Sequence, residues 1–478
     1  MLVDAPYLSS LQNNIRQRPI PWEGAVRAGN LTEDELKKIK AVDKVRKDQR
    51  KQTIQSDLDA YTRLLLGGDS QPSVLESAAK RGDVVQYILV LASDLIEDVP
   101  ELKAGLLRHP APYRPFVPLL SQSSNPEDPI PLLTAYLLTG LISSAILSSS
   151  KESSKIEEPL TRLYNYLSLL SKSSDSGLQD ISVQEYSALL RTRQSRGLFW
   201  KLRKDTIVPL VDILRSAAGT AKDTSTLWEG STSIGRNTFD SGLGGGIGLQ
   251  LLYHVLLVQW QLSFEGALVG EDLESEHEII PLYTHLLRLS PKEKTTRLLL
   301  STLRNLLSTN ETSLLPVAVL VRLPALLQNL KGRHLSDDDL LDDLQSLSDM
   351  LEEYTKTQTT FDQYAAEIHS GHLHWSPPHR NPVFWAENAR RILDENKGEL
   401  PKKLAEIISE PWDSDKQVLA IACNDIGYLV KEVPEKRGQL EKLGLKGRIM
   451  ELMGESNEAV RWESLRAVGE WLRYSIEA

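Results

Sequence analysis

Apolar residues in this chain recur at helical spacing in short runs, and polar breaks separate each run from the next. Side chains three or four residues apart share one face of a helix, whereas a half-buried strand needs strict alternation. Such alternation, bounded by tight turns, is hard to find here. Leu58, Tyr61 and Leu65 line one helical face before Gly67 and Gly68 stop it. Thr32 with Glu35, and Ser182 with Glu185, have the spacing of a capping box, in which each side chain satisfies a backbone N–H that the first helical turn leaves open. Breaks at Asn125–Pro129, Ser148–Lys155 and Ser171–Gly177 keep the helices short. A short helical pair cannot bury its apolar face alone and has to stack on others. The expected fold is therefore all-α, an α-solenoid of HEAT/armadillo-like helical repeats.

Two hairpins have repeat size. Ile279, Leu282, Leu286 and Leu287 precede a Ser-Pro-Lys turn and the apolar run TTRLLLSTLRNLL. At the carboxy-terminal end, Ile449, Leu452 and Met453 precede the turn GESNE and then AVRWESLRAVGEWL. This last hairpin resembles a HEAT repeat. Asn457 is placed to cap the second helix, Val460 and Arg461 open it, Arg461 is expected to bridge neighbouring repeats, and Leu465 and Val468 are expected to point inward.

The stretch Leu335–Tyr354 carries a seam of Leu340, Leu344, Leu347, Leu351 and Tyr354, started by Ser336 and faced with eight acidic residues and no Lys or Arg. Just beyond it, YTKTQTTFDQY loses the repeat rhythm. The main boundary is expected near Glu353, which gives an amino-terminal domain of residues 1–352 and a carboxy-terminal domain of residues 353–478. Gly219–Ile247, rich in Gly, Ser and Thr, reads as a long loop.

Composition narrows the function classes. With 478 residues, 41% of them hydrophobic and 25% charged, core size is not limiting. The single cysteine, Cys423, excludes an intrachain disulfide and a cysteine-built zinc site, and its apolar helical surroundings keep a thiol protonated. The amino terminus lacks a secretory pattern, so a cytosolic location is expected. Two uncharged stretches, Ile130–Ser150 and Gly242–Phe264, approach membrane-spanning length, but their Ser, Thr, Gln and His content reads better as buried helix than as lipid-facing span. The formal charge of -10 opposes phosphate neutralisation, so nucleic acid is not an expected partner. The basic runs Lys37–Lys51 and Arg191–Lys204 read as solvated helix faces, with docking faces as the alternative.

Catalytic chemistry finds little support. No Gly-Lys-Ser or Gly-Lys-Thr is present for a phosphate loop, and Gly242, Gly244, Gly245, Gly246 and Gly248 lack the dinucleotide spacing. His369, His372, His374 and His379, near Glu367, form the one local histidine cluster, and they read as solvated or capping side chains rather than metal ligands. No catalytic, cofactor or metal site is expected.

Three segments carry a family resemblance: HWSPPHRNPVFWAEN (His374–Asn388), VLAIACNDIGYLV (Val418–Val430) and Leu443–Leu472. Together they resemble the H subunit of the eukaryotic vacuolar-type proton-pumping ATPase (V-ATPase). Trp375, Ser376, Pro377, His379, Phe384, Trp385, Glu387 and Asn388 stand at that family's Trp-Ser-Pro-x-His and Phe-Trp-x-Glu-Asn residues, and Asp425, Gly427 and Arg461 fall in the other two segments. GLQLLYHVLLVQWQLSF fits through Gly248, Gln250, Tyr253, Trp260, Leu262 and Phe264, and Arg16, Ile20 and Trp22 fit more loosely. Asn424 departs from the pattern, since many members carry His there.

The physical reading of the motif is structural: Asn381 caps a helix whose first residue is Pro382, and Phe384 and Trp385 pack it down. The resemblance implies a two-domain helical solenoid in the pump's cytosolic sector that couples ATP hydrolysis to proton transport and silences hydrolysis when the sector detaches. It implies contacts with the peripheral stalk, the catalytic head, the central stalk and the cytosolic arm of the membrane sector, without membrane insertion. The family's inter-helix braking loop corresponds to Ser409–Lys416, where Trp412, Asp413 and Lys416 are the candidate partner contacts and Trp412 reads either as exposed for contact or, equally, as folded back onto its own helices. A solenoid adaptor of transport-receptor or scaffold type is the alternative, and a hydrolase with an unrecognised site is a third reading.

Overall fold

The computed structural model describes residues 5–68, 71–148, 153–219, 248–290, 292–412 and 415–476. Among these residues the regular elements are helices, from Pro6–Gln17 to Glu458–Ile476, and no strand occurs. The chain forms an all-α solenoid of stacked helical pairs. By contact density it divides into two compact units, one comprising Met1–Ala217 and Ser241–Glu265, the other Ala218–Asp240 and Gly266–Ala478. The long loop expected over Gly219–Ile247 lies, from residue 220 on, outside the described residues. So does Asp413.

In the first unit, Thr32 forms the expected capping box with Glu35. The second expected box is not there. Asp175 caps the helix Ser176–Leu189, which places Ser182 and Glu185 in its interior. Glu185 is fully buried and accepts from the Thr139 hydroxyl at 2.9 Å, and burial pushes its carboxyl up to about 8. The spacing matched a cap, but the upstream Asp175 reaches the free N–H groups first. The helix Pro129–Ser148 is long and apolar enough to cross a membrane, and about two-thirds of its apolar window is buried inside the protein. Arg16 holds Asp94 through two hydrogen bonds of 2.7 and 3.2 Å, and Trp22 meets Tyr87 edge to face, so the first helices are tied to the core helix Gly82–Asp98.

In the second unit, the expected hairpin is present as Ile279–Leu289 and Glu293–Thr309. The acidic helix Asp338–Thr357 is capped by Asp337, not by Ser336, whose hydroxyl instead donates to Glu293. Its seam of Leu340, Leu344, Leu347 and Leu351 is buried. Arg297 pairs with Asp337 and Asp339, and Arg304 with Asp343, so helix Glu293–Thr309, against which the acidic helix packs, supplies the cations that this acidic face lacks.

The last hairpin is Leu445–Leu452 and Glu458–Ile476. Asn457 caps it by accepting from the Ala459 and Val460 N–H groups. Two expectations are corrected here. Arg461 bonds the carbonyls of Glu455 and Ser456 in its own turn and does not bridge repeats. Leu465 is 50% exposed; the inward stripe is Val460, Ser464, Ala467 and Trp471. Its small central residues have a cause. Gly427 of helix Lys416–Glu432 lies against Ala467, so close that a Cβ at 427 would come within 3.2 Å of the Ala467 Cα, and only a small residue fits opposite.

Candidate functional site

Four helices converge on one buried polar cluster. Thr359 and Asp362 box the start of helix Thr360–Ser370, which ends at Gly371 in the left-handed conformation. That helix carries Tyr364 and Glu367 inward. A short turn, Pro377–Arg380, then delivers His379. As expected, Asn381 caps the helix Pro382–Asp394, which buries Phe384 and Trp385. Helix Lys416–Glu432 brings Asn424 and Asp425 from the other side.

His379 lies between two carboxylates. Its Nδ1 is 2.8 Å from both Asp425 oxygens and its Nε2 is 3.0 Å from Glu367 Oε1. All three side chains are buried. Burial opposes a charged imidazole, yet Asp425 and Glu367 outweigh it and hold His379 up at about 10. Burial likewise works to raise Glu367, but the His374 and His379 imidazoles prevail and hold it down at about 2. Burial lifts Asp425 above its usual range even against the cation. Further donors complete Glu367: the His374 N–H and the Ser376 hydroxyl, each at 2.7 Å.

The motif residues form a shell around this cluster. The Trp385 indole N–H and the Asn424 amide both donate to the His379 carbonyl. Trp385 stacks on Tyr428 with an interplanar angle of 3°, and Arg380 lies over the Trp375 ring at 4.8 Å. Pro377 opens the short turn, and the Asn388 side chain donates back to the Phe384 carbonyl. Asn424, at the position where the resemblance has His, also donates to Asp425 and accepts from Arg466. Glu387 is exposed and Arg461, in the first turn of helix Glu458–Ile476, is bonded to the Glu455 and Ser456 carbonyls, so these two do not join the cluster.

Chemically the cluster is a pin. Both imidazole nitrogens face carboxylates and the ring is buried, so neither nitrogen is available to exchange a proton with a substrate. The expectation that His379 is solvated or a cap is corrected: it is the cation of a buried ionic triad. Among the described residues no group of three or more His, Cys, Asp or Glu side chains is arranged to hold a metal. Cys423 is buried, and its surroundings push the thiol up to about 12.

Sequence reasoning grouped His379 with Glu367 but left Asp425 apart in its own segment, and did not join the three. A signal was available, because Asp425 interrupts an otherwise apolar helix, VLAIACNDIGYLV, and a buried carboxylate requires a partner.

In the loop before helix Lys416–Glu432 the folded-back alternative holds. Trp412 is not exposed: it is half-buried against the core and its indole N–H donates to the Ile407 carbonyl at 2.7 Å. Its backbone is left-handed, with φ 46°. The ring meets His372 edge to face at 5.9 Å, and His372 Nε2 is 2.7 Å from Glu278. Lys416 donates to the Pro411 carbonyl and to Glu455. The indole folds back because that buries the ring and still satisfies its N–H.

Comparison with known proteins adds the family. A family model described as the V-ATPase H subunit matches residues 6–351, and a second with the same description matches residues 357–475. The V-type proton ATPase H subunit of Drosophila melanogaster is 26% identical, over 100% of this chain and 92% of its own length. The probable V-type proton ATPase H subunit of Oryza sativa subsp. japonica is 27% identical, over 95% and 94% respectively. Among solved structures, a designed armadillo repeat protein aligns at 11% identity and a TM-score of 0.36, over 66% of this chain and 98% of that one, a likeness too slight to argue from. The chain belongs to the V-ATPase H-subunit family.

Proposed function

We propose that this chain is a non-catalytic regulatory subunit of a vacuolar-type proton pump. It couples ATP hydrolysis to proton transport in the assembled pump and inhibits hydrolysis in the detached cytosolic sector. The observation that carries this reading is the extent of the family match, residues 6–351 and 357–475, with only a short connection between the two. The burial of the one histidine–carboxylate cluster described above supports a role in binding rather than turnover.

The working division is into an amino-terminal domain of residues 1–352 that binds the peripheral stalk and a regulatory domain of residues 353–478. In a stack where each repeat touches its neighbours, a division by contact density need not coincide with a division by function. The regulatory domain engages the cytosolic arm of the membrane sector in the assembled pump, and the catalytic head and central stalk after detachment. The chain works from the cytosolic face of the vacuolar membrane without entering it, binds no nucleic acid and needs no cofactor of its own. Within the loop Ser409–Lys416, Trp412 and Lys416 shape the backbone through their bonds to Ile407, Pro411 and Glu455, and the loop so held is the braking contact, Asp413 included.

Deleting the gene in a cell that depends on the pump tests the reading. The catalytic subunits should still assemble while acidification of the compartment fails. Normal acidification in the null strain contradicts it.

A further inference from the structure

The last two hairpins repeat each other at an offset of 42 residues. Val418, Ile426, Gly427, Leu429 and Val430 in helix Lys416–Glu432 correspond to Val460, Val468, Gly469, Trp471 and Leu472 in helix Glu458–Ile476. Ile407 and Ile408 in helix Glu399–Ser409 correspond to Ile449 and Met450 in helix Leu445–Leu452.

The match extends to packing on one side and fails on the other. Val418 and Val460 are both buried, as are Leu429 and Trp471. On the other side, Ala420, Cys423 and Val430 are each no more than 1% exposed, whereas their counterparts Trp462, Leu465 and Leu472 are 67%, 50% and 54% exposed. Ile408 is buried and its counterpart Met450 is exposed. What covers the earlier set is the next hairpin: Arg448 donates to the Ile408 carbonyl, and Ala467 rests on Gly427. The later set has no next hairpin in this chain's described residues.

Gly469 occupies the place of Gly427. Trp462, Leu465, Gly469 and Leu472, spaced by three, four and three residues, form one face of the helix, and nothing lies within 4 Å of where a Gly469 Cβ would be. A repeat whose outer face stays in water carries polar residues there. The last described helix instead presents Trp462, Leu465 and Leu472 beside a glycine that admits close backbone approach, and the helix before it leaves Met450 exposed.

We propose that this face seats an amphipathic helix of another pump subunit as the next layer of the stack. The incoming helix carries a small residue over Gly469, with larger apolar residues about two turns before it and one turn after it, as Ala467 lies over Gly427 with Val460 seven residues before and Trp471 four residues after. The source of the helix rests on the proposed pump membership; its chemistry rests on the repeat alone.

The test uses the full chain in the purified assembled pump and in the detached sector. Leu465 is replaced by a photo-crosslinking phenylalanine analogue, with Val383, another exposed apolar position, as the control site. Crosslinked peptides are identified by mass spectrometry, alone and combined with Gly469→Leu. Open space at 469 predicts that Gly469→Leu leaves the melting temperature of the isolated chain unchanged while lowering the crosslink about tenfold or more. The expected product joins position 465, in at least one of the two assemblies, to a helix of another subunit bearing the small central residue. No crosslink from 465 in either assembly, a crosslink only to a second copy of the chain, or full crosslinking in the Gly469→Leu protein overturns the proposal. Absence of the chain from both preparations overturns the pump reading as well, and the two failures are distinguished by blotting for the chain before irradiation.

Discussion

Asp425 and His379 meet at 2.8 Å, fully buried, 46 residues apart in sequence. This contact fastens helix Lys416–Glu432 to the turn that carries the family motif, and Glu367 holds the other side of the same ring. Removing one member of a buried ionic cluster leaves the others uncompensated, at a cost of about 3–5 kcal/mol. His379→Ala should therefore lower the denaturant midpoint sharply, as read by fluorescence of the full chain. A midpoint shift corresponding to less than about 1 kcal/mol contradicts the triad's structural role.

The same triad sets a pH dependence. His379 is raised in the folded state to about 10, so its contribution is fully present below about 6.5, the unfolded value, and is lost as pH rises through 10. Glu367 is depressed to about 2, so its contribution is present above about 4.5 and is lost as pH falls toward 2. Asp425, raised by burial, offsets part of this above its own unfolded value. The net expectation is a melting temperature that falls on the alkaline side more steeply in the parent protein than in His379→Gln. Parallel alkaline limbs in the two proteins contradict the assignment.

Glu185 behaves oppositely to a paired surface carboxylate. Burial raises it to about 8, so its neutral form stabilises the fold below about 4.5 and this advantage is lost as pH rises through 8. Glu185→Gln keeps a neutral hydrogen-bonding group beside Thr139 and should raise stability at pH 9 relative to the parent, with little change at pH 4, below the unfolded value, where the parent's own carboxyl is neutral in both states. Thermal melts at the two pH values check this, and equal stability of parent and variant at pH 9 contradicts it.

How far the sequence made this legible can be traced residue by residue. Local devices were readable: the Thr32–Glu35 box, the Asn381 cap before Pro382, and the hairpin across Ile279–Thr309 each depend on neighbours a few positions away. Non-local pairings were not. Glu185 looked like part of a cap because its partner Thr139 lies 46 residues upstream. Leu465 looked inward because apolarity favours burial without specifying which neighbour is available. Trp412, in a polar loop, read equally as exposed or folded back, because its partner is a backbone carbonyl that no side-chain pattern reveals.

Trp412→Ala should accordingly destabilise the chain, by about 1–3 kcal/mol for the lost indole hydrogen bond and ring burial. The inhibition assay on the detached sector separates two roles. If the indole shapes the loop, inhibition weakens together with stability; unchanged stability with lost inhibition contradicts the packing described here and makes Trp412 a direct contact.

The most direct measurement of the regulatory function is ATP hydrolysis by the detached cytosolic sector, purified without this chain, as the full-length chain is titrated in. Hydrolysis should fall saturably toward zero at one chain per sector, and the chain alone should hydrolyse nothing. Undiminished hydrolysis at saturating, demonstrably bound chain contradicts the proposed brake.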